Sequence, residues 1–132
     1  MKYQYTDNLP IVKIMLLHDG HEITVPAVID SGAMVSVLPY DMGLKLGFVW
    51  EEQTLSVELG GTCGGVPAFG VLVRGELAKL PPVALAFAWT RKTSREIRPL
   101  LGHTNFFQQY KVTLEAYDNT FDVAPRPSRT IQ

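Results

Sequence analysis

The sequence predicts a mainly β protein folded as a single domain, and three observations carry that expectation. No apolar repeat of 3.6 residues persists long enough for a major helix. Short β-rich runs separated by glycine, proline and aspartate recur along the whole length instead. A chain of 132 residues with 46% hydrophobic content can close one core but is too short for two comfortable ones. Residues 1–124 are therefore assigned to one domain, and 125–132, with two prolines and little to bury, to a flexible tail.

The elements follow in order. "IVKIMLL" (11–17) and "EITVPAVI" (22–29) flank Asp19-Gly20, a pair favoured in tight turns, so the two runs should form an antiparallel hairpin. "VSVLP" (35–39) is a short strand. "YDMGLKLGF" (40–48), interrupted by Gly43 and Gly47, supports only a helical turn or two. "TLSVEL" (54–59) alternates as a strand, "GGTCGG" (60–65) is a glycine-rich tip, and "VPAFGVLVRGEL" is a strand with bends at Gly70 and Gly75. "PPVALAFAW" (81–89) reads as a buried strand, "TRKTSRE" (90–96) as a solvated loop, and "IRPLLG" (97–102) as a short apolar strand. "HTNFFQQY" can start a short helix capped by Thr104 or Asn105, and "KVTLEAYDNTFDV" (111–123) is a hairpin turning at Asp118 and Asn119.

Within this pattern Asp30 stands out. The apolar run "VPAVI" ends on its carboxylate, Ser31, Gly32 and Ala33 follow at once, and Val35, Val37 and Leu38 return to the core. Burying an acid costs free energy unless it is hydrogen-bonded, paired or used. Taken alone, Asp-Ser-Gly reads as a turn in which the carboxylate accepts from the amides of Gly32 and Ala33. Two further features shift that balance: Leu100-Leu101-Gly102 lies roughly seventy residues downstream, and the glycine-rich tip sits between.

With those residues in view, "AVIDSGAMVSVLP" together with "PLLGHTNFFQQYKVTLE" resembles the retropepsin-like aspartic proteases, the retroviral proteases and their single-domain bacterial and eukaryotic relatives. Order and spacing match from about residue 11 to residue 117. The resemblance implies a closed-barrel-like fold with one short C-terminal helix and a glycine-rich flap hairpin. It implies that Asp30 is catalytic, that Ser31, Gly32 and Ala33 form the active-site turn, and that Leu100, Leu101 and Gly102 pack beneath it. Gly60, Gly61, Thr62, Cys63, Gly64 and Gly65 would close over an extended peptide. No second Asp is followed by Ser/Thr-Gly, so the second carboxylate must come from another copy, in a symmetric homodimer. The implied activity is peptide-bond hydrolysis by a water activated between two Asp30 carboxylates, without cofactor or metal.

The chain also departs from the family pattern. Many bacterial relatives carry Arg-Asp after the Leu-Leu-Gly, where this chain has His103, Thr104 and Asn105. Retroviral members carry an acid where this chain has Met34, and they interleave their termini into an interface sheet, a poor role for "APRPSRTIQ". A non-catalytic module of the same fold, holding a peptide or dimerising a longer chain, is the rival expectation.

Other signals are weaker. Twelve basic against thirteen acidic residues give a formal charge of −1 and no polybasic field, so nucleic acid is not an expected partner. His18, His21 and Glu22 are explained as polar residues around an Asp-Gly turn rather than as metal ligands. Cys63, the single cysteine, excludes an internal disulfide and fits a reducing cytoplasm. Trp50 and Trp89 read as packing residues. The first residues have an apolar run broken by Asp7, Pro10 and Lys13, and are expected to be neither a signal peptide nor a membrane span.

Overall fold

The computed structural model describes residues 1–59 and 65–128. Ten strands, β1 (Lys2–Gln4), β2 (Ile11–His18), β3 (His21–Ile29), β4 (Ser36–Leu38), β5 (Ser56–Leu59), β6 (Val66–Glu76), β7 (Val83–Thr90), β8 (Leu100–Leu101), β9 (Tyr110–Glu115) and β10 (Thr120–Pro125), carry the fold. Two short helices, α1 (Tyr40–Lys45) and α2 (Phe106–Gln109), join them.

The predicted β2–β3 hairpin is present, with His18 opposite His21. Asp19 and Gly20 both adopt left-handed φ, 47° and 81°, as a tight turn that follows strand twist requires. Strand β3 then pairs in parallel with β8, β8 antiparallel with β4, and β4 in parallel with β7. Strand β6 lies against β7 along its length and reaches back to β2 through Met15–Leu17 and Arg74–Glu76. The ring β2-β3-β8-β4-β7-β6 is therefore closed, and β5 hangs from β6 as the other arm of a hairpin. Inside it pack Ile14, Leu16, Leu85, Trp89 and Leu101, all fully buried; alternation along β2 and β3 becomes an inner and an outer face, while β4 and the end of β7 are buried throughout.

A separate three-stranded sheet has the order β1-β10-β9. Phe121 on β10 is fully buried between Tyr3 and Leu114, its strand neighbours, and the ring of Tyr3 stacks on it at 5.0 Å. This sheet holds two corrections. Strand β1 had no sequence signal, and β10 runs on through Pro125, paired with Tyr110, past the expected end of the hairpin. The hairpin turn itself stands where predicted, a 3₁₀ turn over Ala116–Asp118 closed by Asn119 at φ 54°.

Three further expectations change in detail. Of "IRPLLG" only Leu100–Leu101 is strand, and Tyr110 begins β9 instead of ending a helix. Asn105 occupies the N-cap position of α2 but makes no capping bond. Its carboxamide turns to β7 instead, accepting from the amide of Ala86 at 2.8 Å and donating to the carbonyl of Ala84 at 2.9 Å.

Helix α1 is pinned to the barrel through Gly43. A Cβ there would stand 2.1 Å from Trp89 Nε1, so the helix backbone lies directly on the buried indole, which donates to the carbonyl of Tyr40 at 3.1 Å. Both tryptophans pack as expected: Trp89 is fully buried, and Trp50 meets it edge-on at 5.2 Å.

The same helix anchors the polar loop after β7. Asp41 accepts from the amide of Ser94 at 2.7 Å and from its hydroxyl at 2.5 Å. Burial opposes ionisation of Asp41, but the two Ser94 bonds, its own backbone amide and Lys45 outweigh it and hold the carboxyl below its ordinary value. A depressed carboxyl stabilises the fold above its unfolded-state value, roughly pH 4, and loses that contribution as pH falls through the lower folded value. Asp41→Asn is therefore expected to cost about 0.5–1 kcal/mol at pH 7, discounted for solvent, and almost nothing near pH 2. Urea unfolding of both proteins at the two pH values checks this.

Candidate functional site

Asp30 follows β3 directly, and its position is fixed from below. Its amide donates to the carbonyl of Leu101 at 2.9 Å, continuing the parallel β3–β8 ladder by one residue. The chain then turns: Ala33 N–H donates to the Asp30 carbonyl at 3.1 Å, and Gly32 N–H donates to Asp30 Oδ1 at 2.8 Å. The turn-cap expectation thus holds for Gly32, while the Ala33 amide goes to the backbone rather than to the carboxylate. Asp30 is half-buried, and Ser31 and Gly32 are exposed.

Gly102 explains how the turn and β8 approach so closely. A Cβ on it would lie 2.6 Å from the Val35 carbonyl oxygen and 2.7 Å from that of Ala33, both main-chain atoms that cannot rotate away. Its amide donates at 3.0 Å to the hydroxyl of Ser36, a fully buried residue. The next two residues continue the clamp, His103 N–H to Ala33 O at 3.0 Å and Thr104 N–H to Met34 O at 2.9 Å. Residues 100–104 thus lie beneath 30–36, and the structure brings Asp30, Ser31, Gly32, Ala33, Leu100, Leu101 and Gly102 into one locality.

Beside this turn lies a second apolar cluster, apart from the main core. Val37, Leu59, Ala68 and Ala88 are buried there, with Val35, Val57, Ile97 and Leu100 packed against them. It joins the β5–β6 hairpin to β4, which follows the Asp30 turn, and to β8, which runs beneath it. Met34, immediately after Ala33, is 76% exposed, so the turn is rimmed by apolar side chains.

Of the predicted flap, Gly60, Gly61, Thr62, Cys63 and Gly64 lie outside the described residues. Gly65 closes the hairpin stem at φ 75° with open space around it, and its amide donates to the Leu59 carbonyl at 3.1 Å. That angle is one that side chains with a Cβ resist.

Sequence reasoning missed Ser36 and the bonding of Asn105 and His103. A lone serine inside the apolar run "VSVLP" was the available signal for Ser36, since a buried hydroxyl needs a partner. His103 is exposed; its ring stacks on Phe107 at 4.9 Å, and its Nε2 lies 2.7 Å from the Ser31 carbonyl oxygen.

At the far end of β3, roughly 30 Å along the strand from Asp30, a groove of about 590 Å³ is lined by His18, His21, Glu22 and Arg74 among others. There the His18 ring stacks on Phe48 at 4.2 Å, and His21 rests on Gly47, its imidazole 2.9 Å from where a Cβ would stand. Among the described residues no three metal-ligating side chains converge. No described helix is long and apolar enough to cross a membrane.

No protein-family model matches the chain, and no curated protein sequence does. Among solved structures it is similar to a retropepsin-like aspartic protease from Rickettsia conorii, with a TM-score of 0.69 over 93% of this chain and 88% of that one, at 12% identity. At that identity the likeness speaks for the fold alone: the chain has a mainly β, retropepsin-like fold.

Proposed function

We propose that the chain is the protomer of an aspartic endopeptidase of the retropepsin type, active as a homodimer. The observation that carries this reading is Asp30 itself: one carboxylate at a strand end, oriented by the Gly32 amide, over a close crossing of two backbone segments in a retropepsin-like barrel. A single carboxylate can take a proton from water but cannot also give one to the scissile carbonyl. Two held about 3 Å apart cannot both ionise, so they share one proton and do both. Asp30 of a second copy supplies the other, and the resulting titration belongs to the pair.

In this reading Ser31 faces its twin across the two-fold axis. Gly32 leaves its backbone open to the substrate's main chain, and residues 60–65 cover an extended peptide. The partly buried Val35, Val57 and Leu100 beside the turn, with exposed Met34, favour apolar substrate side chains. Among the described residues no further strand pairs with the outer edges of β1 and β9, against which a second copy can dock. The substrate is a peptide or protein, and we keep the cytoplasm as the proposed location on the strength of the single cysteine.

One observation favours a second reading. The Gly32-to-Asp30 bond is also what a plain turn cap makes, so a non-catalytic peptide-binding or dimerisation module of the same fold is the rival. A mixed peptide pool incubated between about pH 4 and pH 7, with and without a statine-type inhibitor, separates the two. The enzyme produces inhibitor-sensitive fragments, and its specific activity rises with protein concentration through the dimer dissociation constant. A binding module retains peptides uncut at every pH.

A further inference from the structure

The Ser31–Gly32 peptide group is bonded at both ends. Its carbonyl oxygen lies 2.7 Å from His103 Nε2, and its amide lies 2.8 Å from Asp30 Oδ1. A carbonyl only accepts, so His103 Nε2 carries the hydrogen and donates. Because the peptide is planar and conjugated, its carbonyl and amide turn and polarise as one unit. A donor on the oxygen draws electron density toward it and makes the amide a stronger donor, the cooperativity seen in hydrogen-bonded chains.

We infer that His103 is a positioning residue that acts on Asp30 through this peptide, in the order Nε2–H to Ser31 carbonyl, then Gly32 N–H to Oδ1. The imidazole is itself held in place, its backbone amide on the Ala33 carbonyl at 3.0 Å and its ring on Phe107 of α2. The elements packed against it are the Asp30 turn and α2. Across residues 30–34 and 102–109 of one copy the titratable groups are Asp30 and His103 alone. In the proposed homodimer Asp30 of the second copy joins them, so the acid limb of the cleavage profile belongs to the pair while the Gly32 amide reports the relay within one copy. A protonated imidazole polarises the peptide more than a neutral one, so the relay supports the Asp30 carboxylate most on the acid side of the pH range. The catalytic consequence rests on the proposed role of Asp30; the relay itself does not.

Two variants test it. His103→Phe keeps a ring to stack on Phe107 and removes the donor, and His103→Gln keeps a donor and removes the ring. In ¹⁵N-labelled wild-type protein followed from about pH 4.5 to 8, the Gly32 amide resonance should move with the His103 ring. In His103→Phe that step should vanish while the spectrum stays dispersed. In the peptide-cleavage assay the acid-side fall of kcat/KM should move up by about half a pH unit in His103→Phe and return toward wild type in His103→Gln.

A Gly32 amide indifferent to the His103 titration overturns the relay, as do Phe and Gln variants that behave alike. A wild-type protein that shows the Gly32 step but cuts no peptide leaves the relay standing and refutes the protease reading instead.

Discussion

An Asp30→Asn variant is expected to fold like the wild type and to lose peptide cleavage by about a thousandfold or more. The fold should survive because the bond that orients the side chain needs only an acceptor. The Gly32 amide lies 2.8 Å from Asp30 Oδ1, and a carboxamide oxygen, though a weaker acceptor than a carboxylate, can accept there too. The main-chain bonds to Leu101 and Ala33 do not involve the side chain at all. Activity should go because a carboxamide can neither take the proton from water nor share one with a partner carboxylate. Initial rates at matched concentration, beside a melting curve within about 2 °C of wild type, check both halves. Cleavage that persists in a pure variant would refute the mechanism.

The second large effect is structural. Gly102→Ala should cost about 3 kcal/mol, equivalent to roughly 10 °C in melting temperature for a chain of this size. The cause is space rather than backbone angle, for Gly102 does not have a left-handed φ. The new methyl would meet the carbonyl oxygens of Val35 at 2.6 Å and Ala33 at 2.7 Å, so the two segments must part. Parting them stretches the Gly102-to-Ser36 bond and the His103-to-Ala33 bond together, and leaves the buried Ser36 hydroxyl without its partner. Activity should fall with stability, because Asp30 sits on the same crossing. Urea unfolding is the check, and a loss under about 1 kcal/mol would mean the crossing is looser than these distances describe.

Much of the strand content was legible because it was local. Alternating or continuous apolar runs bounded by turn residues located β2, β3, β6 and β7, and Asp19-Gly20 and Asp118-Asn119 located two turns. Closure of the ring was not legible in the same way. It depends on β8, only two residues long, and on its pairings, parallel to β3 and antiparallel to β4, which join segments roughly sixty to seventy residues apart. Strand β1 carries no local signal; Tyr3 becomes strand because Phe121 offers it a stacking partner. Asn105 shows why capping arguments fail when a tertiary partner competes, since its carboxamide found the open backbone of β7 at 2.8 and 2.9 Å. Around Asp30 the residue types pointed to the turn and the resemblance put Leu100, Leu101 and Gly102 beneath it, whereas only the structure brought Ser36 and His103 there.

The shared site can be tested by mixing. Hold wild-type protein at a fixed concentration above the dimer dissociation constant, add a tenfold excess of Asp30→Asn protein, allow the subunits to exchange, and measure cleavage. If each working centre draws one carboxylate from each copy, random pairing leaves about a tenth of the wild-type chains with a wild-type partner, and the rate should fall to about a tenth. A rate unchanged by the inactive partner, with exchange verified independently, would show that each chain works alone and would contradict the account.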